Sequence, residues 1–360
     1  MTDAITAGAP PTVRAPAMSP GRRAWRRFRG NKLGYYSLVI FLVLFILSLF
    51  AEVLSNDKPL VVRYSGQLYF PLVQTLPETT FGGDFPSQTD YLDPLIRANL
   101  AKSDNFALYP PNPYHHRTVN YFSLQPNPAA PDSQNILGTD DTGRDLLARL
   151  VYGFRISVMF ALIVSSICAV FGVLIGAIQG YFAGWTDIVM ERFNEMWSSM
   201  PTLYMLIILS SMFAPSFWLL VLLLSIFGWL GIAAYVRAEF LKNRTLDYVR
   251  AARALGQTNL TIMTRHILPN SLTPVVTLVP FEMAGAVGAL TSLDFLGLGM
   301  PPGTPSLGEL LSQGKNNLDC WWISLSTFVV LVVTLLLLIL IGDALRDALD
   351  PRKVLEGDTP

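Results

Sequence analysis

Tyr248-Val249-Arg250-Ala251-Ala252-Arg253-Ala254-Leu255-Gly256, followed by Ile267-Leu268-Pro269-Asn270, is the stretch on which the reading of this chain turns. It is a charged, helix-forming loop set between two windows, 217–236 and 273–295, each apolar enough to cross a membrane. From Leu246 to Leu255 the residues favour helix, with Leu246, Val249 and Leu255 expected on one side and Ala251, Ala252 and Ala254 permitting close approach. Gly256 falls where a helix needs a left-handed C′ residue. Thr258 or Asn259 can cap a second helix, expected to run to about Ile267 before Pro269. The pattern is a rigid knob suited to another protein's groove, more than an amphipathic hairpin lying on a bilayer.

The rest of the chain has the same membrane character. Hydrophobic residues make up 51% and charged residues 14% of the sequence, too apolar a balance for an ordinary soluble domain. Windows at 34–54, 156–179, 194–213, 217–236, 273–295 and 322–342 reach or approach the roughly 20 residues a helix needs to cross the hydrocarbon. No alternating barrel pattern appears, so helices are expected. The fold class is therefore an all-α membrane protein of six spans. The window at 194–213 is the weakest, because Glu195 opens it and Pro201 interrupts it.

Charge sets the orientation. Arg14, Arg22, Arg23, Arg26, Arg27, Arg29 and Lys32 precede the first span, and Arg237, Lys242, Arg244, Arg250, Arg253 and Arg265 fill the loop 237–270. Arg346, Arg352 and Lys353 follow the last span. The positive-inside rule puts both termini and that loop in the cytoplasm. The basic N-terminus reads as a topology signal facing anionic headgroups, rather than a nucleic-acid patch. The run from Leu38 to Leu54 is a retained helix, since no small-x-small cleavage site follows it.

The chain divides into a disordered basic tail (1–30), a first span (31–54), an extracytoplasmic cap (55–150), a core of five spans (151–345) and a cytoplasmic tail (346–360). Within the cap, Val61-Val62-Arg63-Tyr64 and Gln67-Leu68-Tyr69-Phe70 predict a β-hairpin around Ser65-Gly66. Gly172, Gly176 and Gly180 give the second span a nearly flat face, and Gly285 with Gly288 give the fifth a similar one; plain helix packing explains both. His115-His116 has no acid or cysteine at ligand spacing and reads as loop. Asp140, Asp141 and Asp145 read as a turn and helix cap, with the helix starting at Asp141 or Thr142, rather than a Ca²⁺ cluster. The phosphate-binding Gly-x-x-x-x-Gly-Lys-Ser/Thr pattern is missing, so ATP chemistry must come from elsewhere.

The knob resembles the EAA loop of binding-protein-dependent ABC importer permeases. Ala251, Ala252, Gly256, Leu268 and Pro269 match that pattern, while Arg250 stands at the Glu position and His266 at the Ile position. The resemblance implies a type I importer permease fold and a loop that docks on an ATPase subunit, which would bind ATP and Mg²⁺ itself. This chain is then a non-catalytic subunit without a cofactor of its own. Gly138-Thr139-Asp140-Asp141-Thr142-Gly143-Arg144-Asp145, leading into the second span, and Leu293-Asp294-Phe295-Leu296-Gly297-Leu298-Gly299 resemble the second permease of dipeptide and oligopeptide importers. The first of these implies a periplasmic interface carried by Gly138, Asp140, Asp141, Gly143, Arg144 and Asp145.

The long first loop and the segment Pro305–Asn317 are similar to Yej-type permeases, which implies uptake of oligopeptides, including peptide-nucleotide antibiotics of the microcin C kind. The implied partners are a second permease, two ATPase subunits, a periplasmic binding protein and the lipid of a bacterial inner membrane. Glu282 and Asp294 are the candidate pathway residues. Glu282 either meets a peptide's cationic amino end or pairs with a neighbouring helix, and Asp294 sits nearer the outer end as a cap or gate residue. A membrane receptor with a ligand-binding cap and a partner-docking loop is the alternative reading.

Overall fold

The computed structural model describes residues 20–102, 104–121 and 125–350. Helix α1 (Pro20–Gly30) precedes α2 (Lys32–Leu49) and the short α3 (Ala51–Leu54). The cap follows, with strands β1 (Val61–Tyr64), β2 (Gln67–Tyr69) and, after α4 (Pro94–Leu100), β3 (Phe106–Leu108). Then come α5 (Leu146–Phe182), α6 (Gly184–Ser198), α7 (Thr202–Met212), α8 (Phe217–Gly228) and α9 (Leu230–Asn243). The chain closes with α10 (Asp247–Ala254), α11 (Asn259–Thr261), α12 (Leu268–Phe295), α13 (Leu307–Asn316) and α14 (Trp321–Leu349).

Among the described residues, five helical stretches are long and apolar enough to cross a membrane: Lys32–Leu49, Leu146–Phe182, Phe217–Asn243, Asn259–Phe295 and Trp321–Leu349. The window expected at 194–213 is divided instead. Pro201 lacks the N–H that would continue the helix, so α6 ends at Ser198 and a separate 11-residue apolar helix, α7, follows. The apolar part of that window is thus the short α7, preceded by the charged α6. The first expected span is also shorter than 31–54, because the helix breaks at Phe50.

The flat glycine face of α5 packs as expected. A Cβ on Gly172 would lie 2.8 Å from Ile232, and one on Gly176 would lie 2.9 Å from the Val236 Cβ, so α5 and α9 meet almost backbone to backbone. The face on α12 does not pack: a Cβ on Gly285 or Gly288 would meet nothing within 4 Å. The expectation of plain packing fails there, and the open face becomes important below.

The cap has a small core of its own. The hairpin forms where expected, with Ser65 and Gly66 both at positive φ, and β3 adds on the other side to give an antiparallel sheet of order β2-β1-β3. Val62, Phe81, Tyr91, Ile96 and Leu100 are buried beneath it. Phe81 is fully enclosed, with Tyr64, Tyr69 and Tyr91 meeting it edge-on at 5.5–5.7 Å.

Two boundaries move. The helix expected at Asp141 or Thr142 begins at Leu146, capped by Asp145, so the cap ends there. Residues 20–30 are helical, not disordered, while the expectations for 1–19 and 351–360 lie outside the described residues. The molecule has two functional ends. At one, α1 packs on Ala344 and Ala348 of α14, and Lys242, Asn270 and Arg346 line a common cleft. At the other, the cap meets the start of α14 through a hydrogen bond from Trp322 Nε1 to Thr139 O at 3.4 Å.

Candidate functional site

The candidate residues fall in three groups, beginning at the capped end. The turn 138–145 is held by Asp140, whose Oδ1 accepts hydrogen bonds from Thr142 N, Thr142 Oγ1 and Arg144 N at 2.8–2.9 Å. Gly138, at φ +82°, cannot be replaced without strain, and a Cβ there would lie 2.9 Å from the Trp322 ring. Gly143 N donates to Asp140 O at 3.1 Å and closes the turn. Asp145 is the helix cap: it accepts from Ala148 N at 2.8 Å, Asn112 Nδ2 at 2.7 Å and Asn135 Nδ2 at 2.8 Å. Burial pushes its carboxyl pKa up, and those three hydrogen bonds pull against it. Asp141 stays on the surface and joins none of these contacts.

The residue that organises this turn was not singled out from sequence. Arg149 is fully buried; its Nη2 donates to Glu309 Oε2 at 2.6 Å, and its Nη1 lies 3.2 Å from Asp140 Oδ2. Arg144 Nε donates to the same Asp140 oxygen at 2.7 Å and its Nη2 reaches Glu309 at 3.7 Å. Four charges thus tie the turn, the start of α5 and helix α13 together. The sequence signal was available: an arginine at the mouth of an apolar helix needs a partner. His115 and His116 pack against Tyr152, with ring centroids at 5.2 and 4.5 Å. Burial, then His115 and nearby arginines, push the His116 pKa down to about 3, and the two rings serve as packing against Tyr152.

Asp294 binds the loop that follows α12. It is buried at the outer end of α12, accepts from Met300 N at 2.6 Å and from the Ser306 hydroxyl, and so pins the 297–306 loop. Ser306 in turn caps α13, accepting from Gly308 N at 3.2 Å. Glu282 behaves differently. It lines a cavity of about 260 Å³ with Gly285, Ala286 and Ala289 of the same helix and with Ser165, Cys168 and Leu206 across from it. Positions 282, 285, 286 and 289 share one helical face. Among the described residues Glu282 has no hydrogen bond or ion pair.

At the opposite end, the knob folds largely as its sequence directs. Gly256 takes φ +75°. Its N–H donates to Arg253 O at 3.0 Å, and Gln257 N donates to Ala252 O at 3.2 Å, the two bonds of a Schellman cap. Thr258 caps the next turn through Thr261 N. His266 Nε2 and Gln257 Oε1, 2.7 Å apart, join the two arms. Val249 and Ala252 are buried, but Leu246 and Leu255 are not on their side as expected: Leu255 is 81% exposed and Leu260 70%. Ala251 is exposed as well. Arg250 points outward, its one ion pair being a 3.9 Å contact with exposed Asp247, a geometry worth little in water.

The loop is shorter than 237–270, because α9 runs to Asn243. The second arm does not stop before Pro269 either. A π-turn at Ile262–Ile267 precedes Leu268 and Pro269, which open α12, so helix continues from Asn259 to Phe295. The wider turn accommodates the ring and the missing N–H of proline.

Tyr181, at the end of α5, holds this hairpin. Its hydroxyl donates to Asn259 Oδ1 at 2.7 Å, its carbonyl accepts from Arg244 Nη1 at 3.2 Å, and Arg253 of α10 lies over its ring at 5.9 Å. Nearby, Arg237 binds Asp187 through Nε–Oδ1 at 2.6 Å and Nη2–Oδ2 at 3.0 Å, which holds the Asp187 carboxyl below its usual range. Tyr181→Phe removes one hydrogen bond, worth about 1 kcal/mol. The expected result is faster proteolytic cleavage of the 254–260 turn, with the membrane helices still protected.

The chain is a polytopic helical membrane protein with a Glu282-lined cavity along α12, a hairpin at one end of that helix and a separate cap at the other end of the molecule. Residues 172–354 match the family "Binding-protein-dependent transport system inner membrane component", and residues 19–69 match "N-terminal TM domain of oligopeptide transport permease C". The chain is 49% identical over 337 residues to the inner membrane ABC transporter permease protein YejE of Escherichia coli (strain K12), covering 93% of this chain and 98% of the relative. It is 46% identical to the peptidoglycan transport system permease protein YejE of Agrobacterium fabrum, covering 92% and 93%. The MetNI methionine ABC transporter in an inward-facing state gives a TM-score of 0.48 at 18% identity, over 57% of this chain and 98% of that one. This chain belongs to the family of inner membrane components of binding-protein-dependent transport systems, alongside the YejE permeases. Family membership decides against the receptor reading.

Proposed function

We propose that the chain is one of two permease subunits of an ATP-driven oligopeptide importer in a bacterial inner membrane, moved by ATPase subunits that carry ATP and Mg²⁺. The observation that carries this reading is the continuity of Asn259–Phe295, 37 residues with the docking knob at one end and the Glu282 groove along its length. At about 1.5 Å per residue such a rod spans roughly 55 Å. A displacement of the knob is passed along this helix to the groove, with Pro274 and Pro280 lying between them as the places where the helix bends. Packed helices switch between discrete arrangements rather than deforming smoothly.

Arg250, Ala251, Ala252, Gly256, Leu268 and Pro269 form the ATPase-coupling element, with exposed Leu255 and Leu260 as its apolar contact. Both termini share the cytoplasmic side with it, in keeping with the charge distribution. The 138–145 turn and α13 make the periplasmic face on which a loaded binding protein docks. The open Gly285 and Gly288 face is the side left for the second permease and the cargo. A peptidic substrate fits the name of the Agrobacterium relative and that of the Lactococcus lactis oligopeptide permease OppC, 37% identical over 224 residues. Peptide-nucleotide antibiotics of the microcin C kind belong to the same cargo class.

Glu282 receives the peptide's α-ammonium in this scheme. A hydrogen bond to a charged group contributes about 1.5–3 kcal/mol. Glu282→Gln is expected to slow uptake of a peptide with a free amino terminus by about tenfold or more, and uptake of its N-acetylated form much less. Initial uptake rates of the two labelled peptides test this; equal losses for both would remove Glu282 from the amino-end site.

A further inference from the structure

Helix α1 carries five arginines, Arg22, Arg23, Arg26, Arg27 and Arg29, and no acid within its eleven residues. At 100° per residue they occupy one broad arc, and Ala24, Trp25 and Phe28 occupy the other. Phe28 is 1% exposed and sits against Ala344 and Ala348 of α14, with Tyr35, Leu38 and Leu345 around it. Trp25 stacks on Phe28 at 5.7 Å but leaves half of its own surface open. Arg29 lies over the Tyr35 ring at 5.4 Å. Among the described residues none of the five arginines forms an ion pair.

We infer that α1 is an in-plane binding site for anionic phospholipid, clamped to α14 by Phe28, with the arginine arc on the headgroup phosphates and Trp25 at the headgroup–acyl boundary. The placement follows from connectivity. Asn31 alone separates α1 from membrane-spanning α2, and its side chain caps α2 by accepting from Gly34 N at 3.2 Å, so α1 stays beside the end of the helical bundle, where Phe28 ties it to α14. Gly34 also faces Ala344, so the end of α14 is held from two sides, by α2 and by Phe28. An unpaired cationic face, an adjacent aromatic residue half out of its packing and a fixed interfacial position are what an interfacial amphipathic helix requires. Anionic headgroups supply the complementary charge, each basic residue near the surface adding to the attraction. Zwitterionic lipid supplies no net charge for this arc.

The test uses the assembled importer in nanodiscs carrying brominated phosphatidylglycerol or brominated phosphatidylcholine at equal mole fraction. The Trp25 signal is the fluorescence difference between the natural chain and its Trp25→Phe variant. The expected result is several-fold stronger quenching of that signal by the phosphatidylglycerol. The preference disappears in the variant Arg22→Gln/Arg23→Gln/Arg26→Gln/Arg27→Gln. It also disappears in the unmutated chain at 1 M salt, where charge attraction is screened within about 3 Å, so a folding defect in the variant cannot imitate the result. Equal quenching by both lipids, or a preference that survives loss of the four charges, overturns the inference. So does a variant that loses the co-purifying ATPase subunit while keeping its lipid preference, which would make the arc a protein contact.

Discussion

Arg149→Leu is expected to lower the stability of the protein by about 3 kcal/mol, the lower end of the range for removing one partner of a buried ion pair. The lower end applies because Asp140, left fully buried, keeps Arg144 at 2.7 Å, and Glu309 is 31% exposed and can be solvated. The damage should fall on one region, since Arg149 alone touches both the 138–145 turn and α13 at close range. Thermal unfolding in detergent reads the total loss, and limited proteolysis between Leu137 and Asn317 locates it. Adding Asp140→Asn should lower the stability further, because it also takes from Arg144 Nε the carboxylate to which it donates at 2.7 Å. Glu309→Gln should cost less than Arg149→Leu. If Arg149→Leu melts like the unmodified protein, the four-charge tie is not what holds α13 to the mouth of α5.

Gly256→Val carries the second large effect, and it is functional. A Cβ at Gly256 would meet nothing within 4 Å, so space is not the obstacle. The obstacle is φ +75°, which costs an L-residue about 1–2 kcal/mol and a β-branched one more. A shift of about 1.4 kcal/mol changes an equilibrium tenfold. The docked geometry of α10 should therefore lose about tenfold in population, with transport falling in proportion while the ATPase subunits still hydrolyse ATP. Gly256→Asn, whose side chain tolerates the left-handed region, should retain most of the transport. Parallel uptake and hydrolysis assays on the two variants check this. Normal transport by Gly256→Val would show that the Schellman cap does not set the coupling geometry.

How much of this could be read before the structure depended on whether the cause was local. The hairpin at Ser65-Gly66, the left-handed Gly256, the Thr258 cap and the Gly172–Gly176–Gly180 face each follow from chemistry within a few residues. The α12 groove was half visible: Glu282 stood out as an acid in an apolar run, but only the fold shows Gly285 and Gly288 unpacked beside it. Pro269 misled, because a proline signals a helix boundary unless a wider turn precedes it, and the sequence of Ile262–Ile267 gives no sign of one. Arg149 and Glu309 are 160 positions apart, and Tyr181 and Asn259 are 78 apart, so neither pairing leaves a local trace. In α1 the arginine-rich composition suggested disorder and masked the apolar stripe that packs it. Arg250, where the family pattern has an acid, proves to be turned outward and adds little to the hairpin's own fold.

In the proposed importer, ATP moves this chain's helices to carry peptide. The direct measurement is uptake of a labelled oligopeptide into proteoliposomes containing this chain, its partner permease and the ATPase subunits, with the binding protein on the face opposite the ATPases. Uptake should require ATP, should stop when this chain is left out, and should fall about tenfold with Gly256→Val at unchanged hydrolysis. Uptake without ATP under a proton gradient, or full uptake without this chain, would contradict that mechanism.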